Sequence, residues 1–265
     1  VKAPVERRGI PLRAVVPNAV TALALCSGLS GIRFAIAEKW DTAIAMILIA
    51  AVLDGMDGRI ARMLKGSSRF GAELDSLSDV IAFGVSPAVI LHLWSLQYWP
   101  RFGWIFALAY AVCMALRLAR FNAQIDVEEQ PHKSAGFLTG VPAPAGAALL
   151  LLPILLWLAS NRQFSGLQDY RLVAPWAAAI AFLVISSLAT FSWTSFRLRR
   201  RVRLEAIVFI AIVGGALLTA PWETLSVLAL LYLASIPFSI LSYGRVKRQR
   251  RAASHPPEPP AAPAD

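Results

Sequence analysis

Cysteine is nearly missing from this chain. Cys26 and Cys113 are the only two in 265 residues, and both sit inside apolar runs, so no disulfide framework holds the fold. Histidine is almost as scarce, at three, and none falls between residues 54 and 79, where the acidic residues gather; that argues against zinc there. Acidic residues are few too, 16 Asp and Glu against 26 Lys and Arg, for a net charge of +10. The chain shows no internal repeat and no second domain. What it has in abundance is apolar sequence: 57% of residues are hydrophobic and the mean hydropathy is +0.58, which excludes an ordinary soluble domain.

A run of about 18 weakly charged residues suffices to cross a hydrocarbon core as a helix. The sequence predicts an all-α polytopic integral membrane protein with about eight transmembrane helices, near 13–36, 41–63, 77–96, 101–119, 138–159, 173–193, 205–220 and 223–243. Arg7 and Arg8 precede an apolar run that ends near Ala35, in the manner of a secretory signal. That run is longer than a typical signal core and further spans follow, so it reads as a retained first span. With the N-terminus inside, basic runs at 7–13, 59–69, 117–133, 197–203 and 245–251 all fall on one side, leaving Arg33, Lys39, Arg101, Arg162 and Arg171 on the other. This asymmetry predicts both termini in the cytoplasm. The positive charge therefore serves topology and anionic headgroups, and no nucleic-acid partner is expected. Residues 1–243 are expected to form one membrane-embedded domain, and 244–265, basic and then rich in Pro and Ala, a disordered cytoplasmic tail.

Residues 54–79 read DGMDGRIARMLKGSSRFGAELDSLSD. If the second span continues as helix, Asp54, Asp57, Gly58, Ala61 and Arg62 share one face, and Asp75 and Asp79, four apart, share another. A short connection makes the two helices antiparallel neighbours, so four carboxylates converge at the cytoplasmic membrane surface. One aspartate at a span end reads as a cap or a surface ion pair. Four repel one another and resist leaving water. Arg62 offsets one charge, whereas two divalent cations offset all four, and hard oxygen donors suit Mg²⁺ or Mn²⁺. Such ions complete their shells with phosphate, so the cluster predicts phosphoryl transfer. Gly58 leaves room for phosphate or metal to approach the backbone. Pro17, Asn18 and Thr21 are unusual in a first span, and two readings stand side by side: a kink with its freed backbone satisfied, or a polar edge facing a cavity.

Asp54, Asp57, Gly58, Ala61, Arg62, Gly71, Asp75 and Asp79 reproduce the pattern D-x2-D-G-x2-A-R-x8-G-x3-D-x3-D, and on it the chain is identified as a member of the CDP-alcohol phosphatidyltransferase family. RLARFN at 117–122 and GFLTGVPAPAG at 136–146 make it most similar to the serine-using branch, with the resemblance strongest over residues 11–150. The resemblance implies transfer of a phosphatidyl group from CDP-diacylglycerol to L-serine, giving phosphatidylserine and CMP. It implies two Mg²⁺ or Mn²⁺ ions held by Asp54, Asp57 and Asp75, with Asp79 as the base and a further metal contact. Pro17, Asn18, Thr21, Gly58, Arg62, Ser68 and Gly71 match positions that hold CDP-diacylglycerol. A homodimer in the cytoplasmic membrane, with its active site on the cytoplasmic face among membrane lipids, is implied in the same way.

A zwitterionic acceptor calls for a cation and a polar group, and Arg117, Arg120 and Asn122 at the inner end of the fourth span offer them. Their other reading is as positive-inside anchors. Two rival functions are weighed against serine transfer. The first keeps the reaction and changes the acceptor to glycerol 3-phosphate, inositol or choline. The second is a cation transporter, which would place its carboxylates near mid-bilayer rather than at one edge.

Overall fold

In the computed structural model, residues 12–64, 66, 68–123, 137–139, 141–186, 189–191 and 203–254 are described. The first helix, α1 (Leu12–Ile36), runs through Pro17 without a break and is followed closely by α2 (Trp40–Met63). Next comes α3 (Arg69–Asp79), which passes through a π-helical segment (Val80–Val85) into α4 (Ser86–Trp94). The third apolar segment therefore starts at Arg69, earlier than the expected 77, because Ser68 caps α3 by accepting the backbone N–H of Gly71 at 3.0 Å. Asp75 and Asp79 lie well inside the continuous segment Arg69–Trp94 rather than at its start.

After α5 (Gly103–Ala123), the expected fifth span is two short helices, α6 (Ala143–Leu150) and α7 (Leu152–Ala159). They break at Leu151 because Pro153, in the first turn of α7, has no N–H to continue the α6 ladder. Then come α8 (Tyr170–Ile185), α9 (Arg203–Thr219) and α10 (Pro221–Ser254). The last runs past the expected end at 243, so part of the predicted tail is helical; residues 255–265 lie outside the described residues. The purely helical expectation needs one amendment. Two three-residue strands, β1 (Phe137–Thr139) and β2 (Ala189–Phe191), pair antiparallel with Phe137 opposite Phe191.

Among the described residues, three helices are long and apolar enough to cross a membrane: Val15–Ile36, Arg69–Trp94 and Gly103–Ala123. Tyr170–Ile185 and Ile210–Thr219 are shorter apolar helices. Helix α2 is missing from the first group because its inner half carries Asp54, Asp57, Arg59 and Arg62. How α5 divides its surface shows the solvent it is built for. Gly103, Ala107, Tyr110, Met114 and Leu118 are buried, while Trp104, Ile105, Leu108, Val112 and Leu116 face outward and are about half exposed. A continuous aliphatic stripe of that kind is a liability in water and ordinary in lipid. The molecule is a helical integral membrane protein.

The core lies where α4, α5, α6 and α8 meet, around Phe83, Ile90, Leu91, Trp94, Tyr110, Met114, Leu149 and Val173. Helix α1 approaches the third segment most closely at Gly28. A Cβ there would stand 2.8 Å from the Ala82 Cα, so only glycine lets the two backbones meet. Small residues serve the same purpose wherever helices pack in lipid.

Candidate active site

The site is assembled from α1, α2 and α3. One carboxylate oxygen from each of Asp54, Asp57 and Asp75 lies within 4.8 Å of the others. Asp54 and Asp57 project from the same face of α2, as their spacing predicts, and Asp75 meets them from α3. Asp79, one turn beyond Asp75, shares a hydrogen bond with Asp54. All four sequence-predicted aspartates are thus brought together.

Thr21 is where the three helices are tied. Its hydroxyl lies 2.6 Å from Asp57 Oδ2 and 3.1 Å from the Pro17 carbonyl. It has one proton to give, and the shorter contact, to a carboxylate, is the stronger. The Thr21 carbonyl in turn accepts from the buried Ser78 hydroxyl of α3 at 3.3 Å. Thr21 and Asp57 are both largely buried, at 4% and 5% exposure.

An open cleft with about 410 Å³ of empty space adjoins the carboxylates. It is lined by Pro17, Asn18, Thr21, Asp57, Gly58, Ala61, Gly66, Ser68, Gly71 and Asp75. Six of the seven residues expected to hold the nucleotide-lipid are in that lining. Both readings of Pro17, Asn18 and Thr21 have a counterpart: the three line the cleft, and the Thr21 hydroxyl also lies 3.1 Å from the Pro17 carbonyl. Gly71 lies close to α1: a Cβ there would come within 2.8 Å of Asn18 Oδ1 and 3.2 Å of Ser68 Oγ, so the Asn18 amide would have to turn aside. At Gly58 nothing lies within 4 Å, so the missing side chain leaves open cleft instead of admitting a protein neighbour. Arg62, the seventh, is exposed at the end of α2 and outside the lining. Among the described residues the one ion pair is Arg162 with Asp41, remote in sequence from the cluster, so Arg62 does not neutralise the aspartates by direct contact.

The three residues expected at the acceptor part company. Arg117 is half-buried and interacts electrostatically with Asp79, and its Nε is buried without a hydrogen-bond partner. Arg120 is exposed and donates to the Ile185 carbonyl at 2.7 Å, closing the end of α8. Asn122 donates to Ser76 Oγ at 2.8 Å, fastening α5 to α3 one residue from Asp75. Sequence reasoning missed Ser76 and Ser78; their one available signal was position, flanking Asp75 and Asp79 on the same short helix.

The donor set fits a hard divalent cation. It offers carboxylates alone, with no histidine or cysteine in the group, and Asp75 Oδ1 is buried with no hydrogen-bond partner. A buried, unpartnered carboxylate oxygen is costly unless something positive completes it.

A helical membrane protein with a carboxylate cluster beside an open cleft is compatible with an enzyme acting on a phosphorylated lipid. The family model described as CDP-alcohol phosphatidyltransferase matches residues 14–185, and a second, CDP-alcohol phosphatidyltransferase 2, matches 201–237. The chain belongs to the CDP-alcohol phosphatidyltransferase family. It is similar to the CDP-diacylglycerol–serine O-phosphatidyltransferase of Mycobacterium tuberculosis (strain ATCC 25618 / H37Rv), 37% identical over 96% of this chain and 85% of the relative. The Mycobacterium leprae (strain TN) protein of that name is 38% identical over 96% of this chain and 81% of the relative. A third of that name, from Helicobacter pylori (strain ATCC 700392 / 26695), is 30% identical over 82% and 87%.

Proposed function

We propose that this chain transfers a phosphatidyl group from CDP-diacylglycerol to the hydroxyl of L-serine, giving phosphatidylserine and CMP. The observation that carries the reading is the convergence of Asp54, Asp57 and Asp75 beside the cleft lined from Pro17 to Gly71. The names of the relatives support serine as the acceptor.

Pro17, Asn18, Thr21, Gly58, Ser68 and Gly71 form the walls against which the cytidine and diphosphate rest, while the acyl chains stay in the bilayer. Arg62, exposed at the end of α2, adds long-range positive charge for the diphosphate. Asp54, Asp57 and Asp75 would hold two Mg²⁺ or Mn²⁺ ions, which would supply positive charge for the phosphoryl oxygens and departing CMP. Asp79 stands beside this set and accepts the serine hydroxyl proton as the new oxygen–phosphorus bond forms and the bond to CMP breaks. Arg117, with an unpartnered Nε–H near Asp79, is placed for the serine carboxylate. Arg120 and Asn122 act at one remove, through α8 and α3.

The reading extends to topology. Eight spans (α1, α2, α3–π–α4, α5, α6–α7, α8, α9 and α10) with both termini in the cytoplasm put the carboxylates at the cytoplasmic face. The basic runs support this orientation. We extend it also to a homodimer, on family resemblance.

The test is purified protein supplied with CDP-diacylglycerol, Mg²⁺ or Mn²⁺ and a panel of alcohols. Serine should give phosphatidylserine, and Asp79→Asn should lower turnover by about 100-fold or more while leaving CDP-diacylglycerol binding intact. Transfer to glycerol 3-phosphate, inositol or choline with none to serine would sink the acceptor assignment.

A further inference from the structure

Asp79 is the last residue of α3, and the π-helical segment Val80–Val85 begins at the next residue. Ser86 N–H bonds the carbonyl of Ile81, five residues back. A π turn accommodates one residue more than an α turn, so it rotates the helix before it against the helix after it by about 100°. The direction in which Asp75 and Asp79 face is therefore not inherited from α4, whose Ile90, Leu91 and Trp94 are anchored in the core. It is set at the π turn.

That turn is gripped from three sides. Helix α1 meets it through Gly28 against Ala82. Helix α5 meets it through Met114, which packs against Gly84 where a Cβ would be 3.2 Å from its Cγ. One turn earlier on α5, the fully buried Tyr110 donates its hydroxyl to the Phe83 carbonyl at 3.0 Å. From α6, Gly146 backs both side chains, with its missing Cβ 3.1 Å from Met114 Cε and 3.5 Å from the Tyr110 hydroxyl. Inserting a residue disturbs the regular helical ladder, and the carbonyls there need other donors. The Tyr110 hydroxyl is a side-chain donor to one of them, the Phe83 carbonyl.

We propose that Tyr110 is a positioning residue for the carboxylate site: by holding the Phe83 carbonyl it keeps the π turn in place, and so fixes the rotation at which Asp75 and Asp79 meet Asp54 and Asp57. The Tyr110 hydroxyl bonds the backbone of the helix that carries the carboxylates, and Tyr110 also interacts electrostatically with Arg117. For its effect on turnover, this inference rests on the phosphatidyl transfer proposed above.

Tyr110→Phe removes the hydroxyl and keeps the ring. Two readouts separate positioning from mere support: Mn²⁺ affinity, followed by the electron paramagnetic resonance of the free ion, and CMP release with serine. The expected result is a Mn²⁺ Kd raised by roughly 10-fold and a kcat lowered by roughly 10-fold or more, the usual size of a supporting-residue effect at a metal site. The KM for CDP-diacylglycerol should rise as well, because Gly71, Asp75 and the capping Ser68 of the cleft wall ride on the same helix. Mn²⁺ affinity and kcat within about twofold of the parent overturn the proposal. So does a lowered melting temperature with those two unchanged, which is what a purely structural role gives. If Tyr110→Phe fails to accumulate folded, Gly146→Ala, whose Cβ would press on Val184 Cγ2 at 3.0 Å and on Met114 Cε at 3.1 Å, disturbs the same grip on the π turn and is held to the same thresholds. A parent protein with no transfer to any alcohol would sink the proposed reaction alone, since the Mn²⁺ comparison still decides the role of Tyr110.

Discussion

The hydroxyl of Thr21 holds one oxygen of a buried carboxylate, and that position makes a side chain in the first helix part of the site on the second. Thr21→Val keeps the shape and removes the donor, leaving Asp57 short of a charged hydrogen bond at a cost of about 1–3 kcal/mol. Mn²⁺ binding should weaken by roughly 10-fold, measured by titration, and Thr21→Ser should restore it. Unchanged binding in Thr21→Val would show that the contact is dispensable. Residue by residue, the sequence made the aspartates legible, because helical spacing alone decides which side chains share a face. It could not make the Thr21–Asp57 contact legible, since nothing in the spacing of residues 36 apart says which will touch. Arg117 and Arg120 are the instructive pair. At i and i+3 they share a face by geometry, yet long side chains reach in different directions, and one lies near Asp79 while the other closes α8.

Among the elements, the third segment carries the most that pattern reading misses. Its apolar content marked a span near the right place, but a π turn costs no change in composition, and one inserted residue is lost in the error of any boundary. The Ser68 cap was visible only as one of two adjacent turn serines, which is why the predicted start fell eight residues late. The break at Leu151, by contrast, has a sequence cause in Pro153, whereas Pro17 and Pro175 sit inside unbroken helices. Packing of α1 on the π turn depends on Gly28. Gly28→Val places a branched side chain where a first carbon already stands 2.8 Å from the Ala82 backbone. Overpacking of this kind costs about 1–3 kcal/mol. The melting temperature should fall, with activity lost in parallel as α1 parts from α3. A variant as stable and active as the parent would mean the two helices are not so closely packed in the membrane.

For the whole molecule, composition was enough to place the chain in a bilayer, and the aliphatic stripe on α5 agrees. Charge asymmetry predicts more than composition does: it predicts sidedness. In a chain with Cys26 and Cys113 replaced, Gln163→Cys, between α7 and α8, should react with an impermeant maleimide on intact cells. Ala261→Cys, in the basic half's continuation, should react only after lysis. The reverse pattern would turn the protein over and move the carboxylates to the other face.

Every carboxylate of the cluster and every wall of the cleft comes from residues 17–79. The ribosome therefore delivers the complete donor set, on three consecutive helices, well before Tyr110 and Arg117 are made. During synthesis the residues of the cluster emerge before the residues that set its angle. A nascent chain halted after α4 would present the aspartates without α5 against the π turn, with four acidic groups at the membrane edge and no helix yet to set their angle.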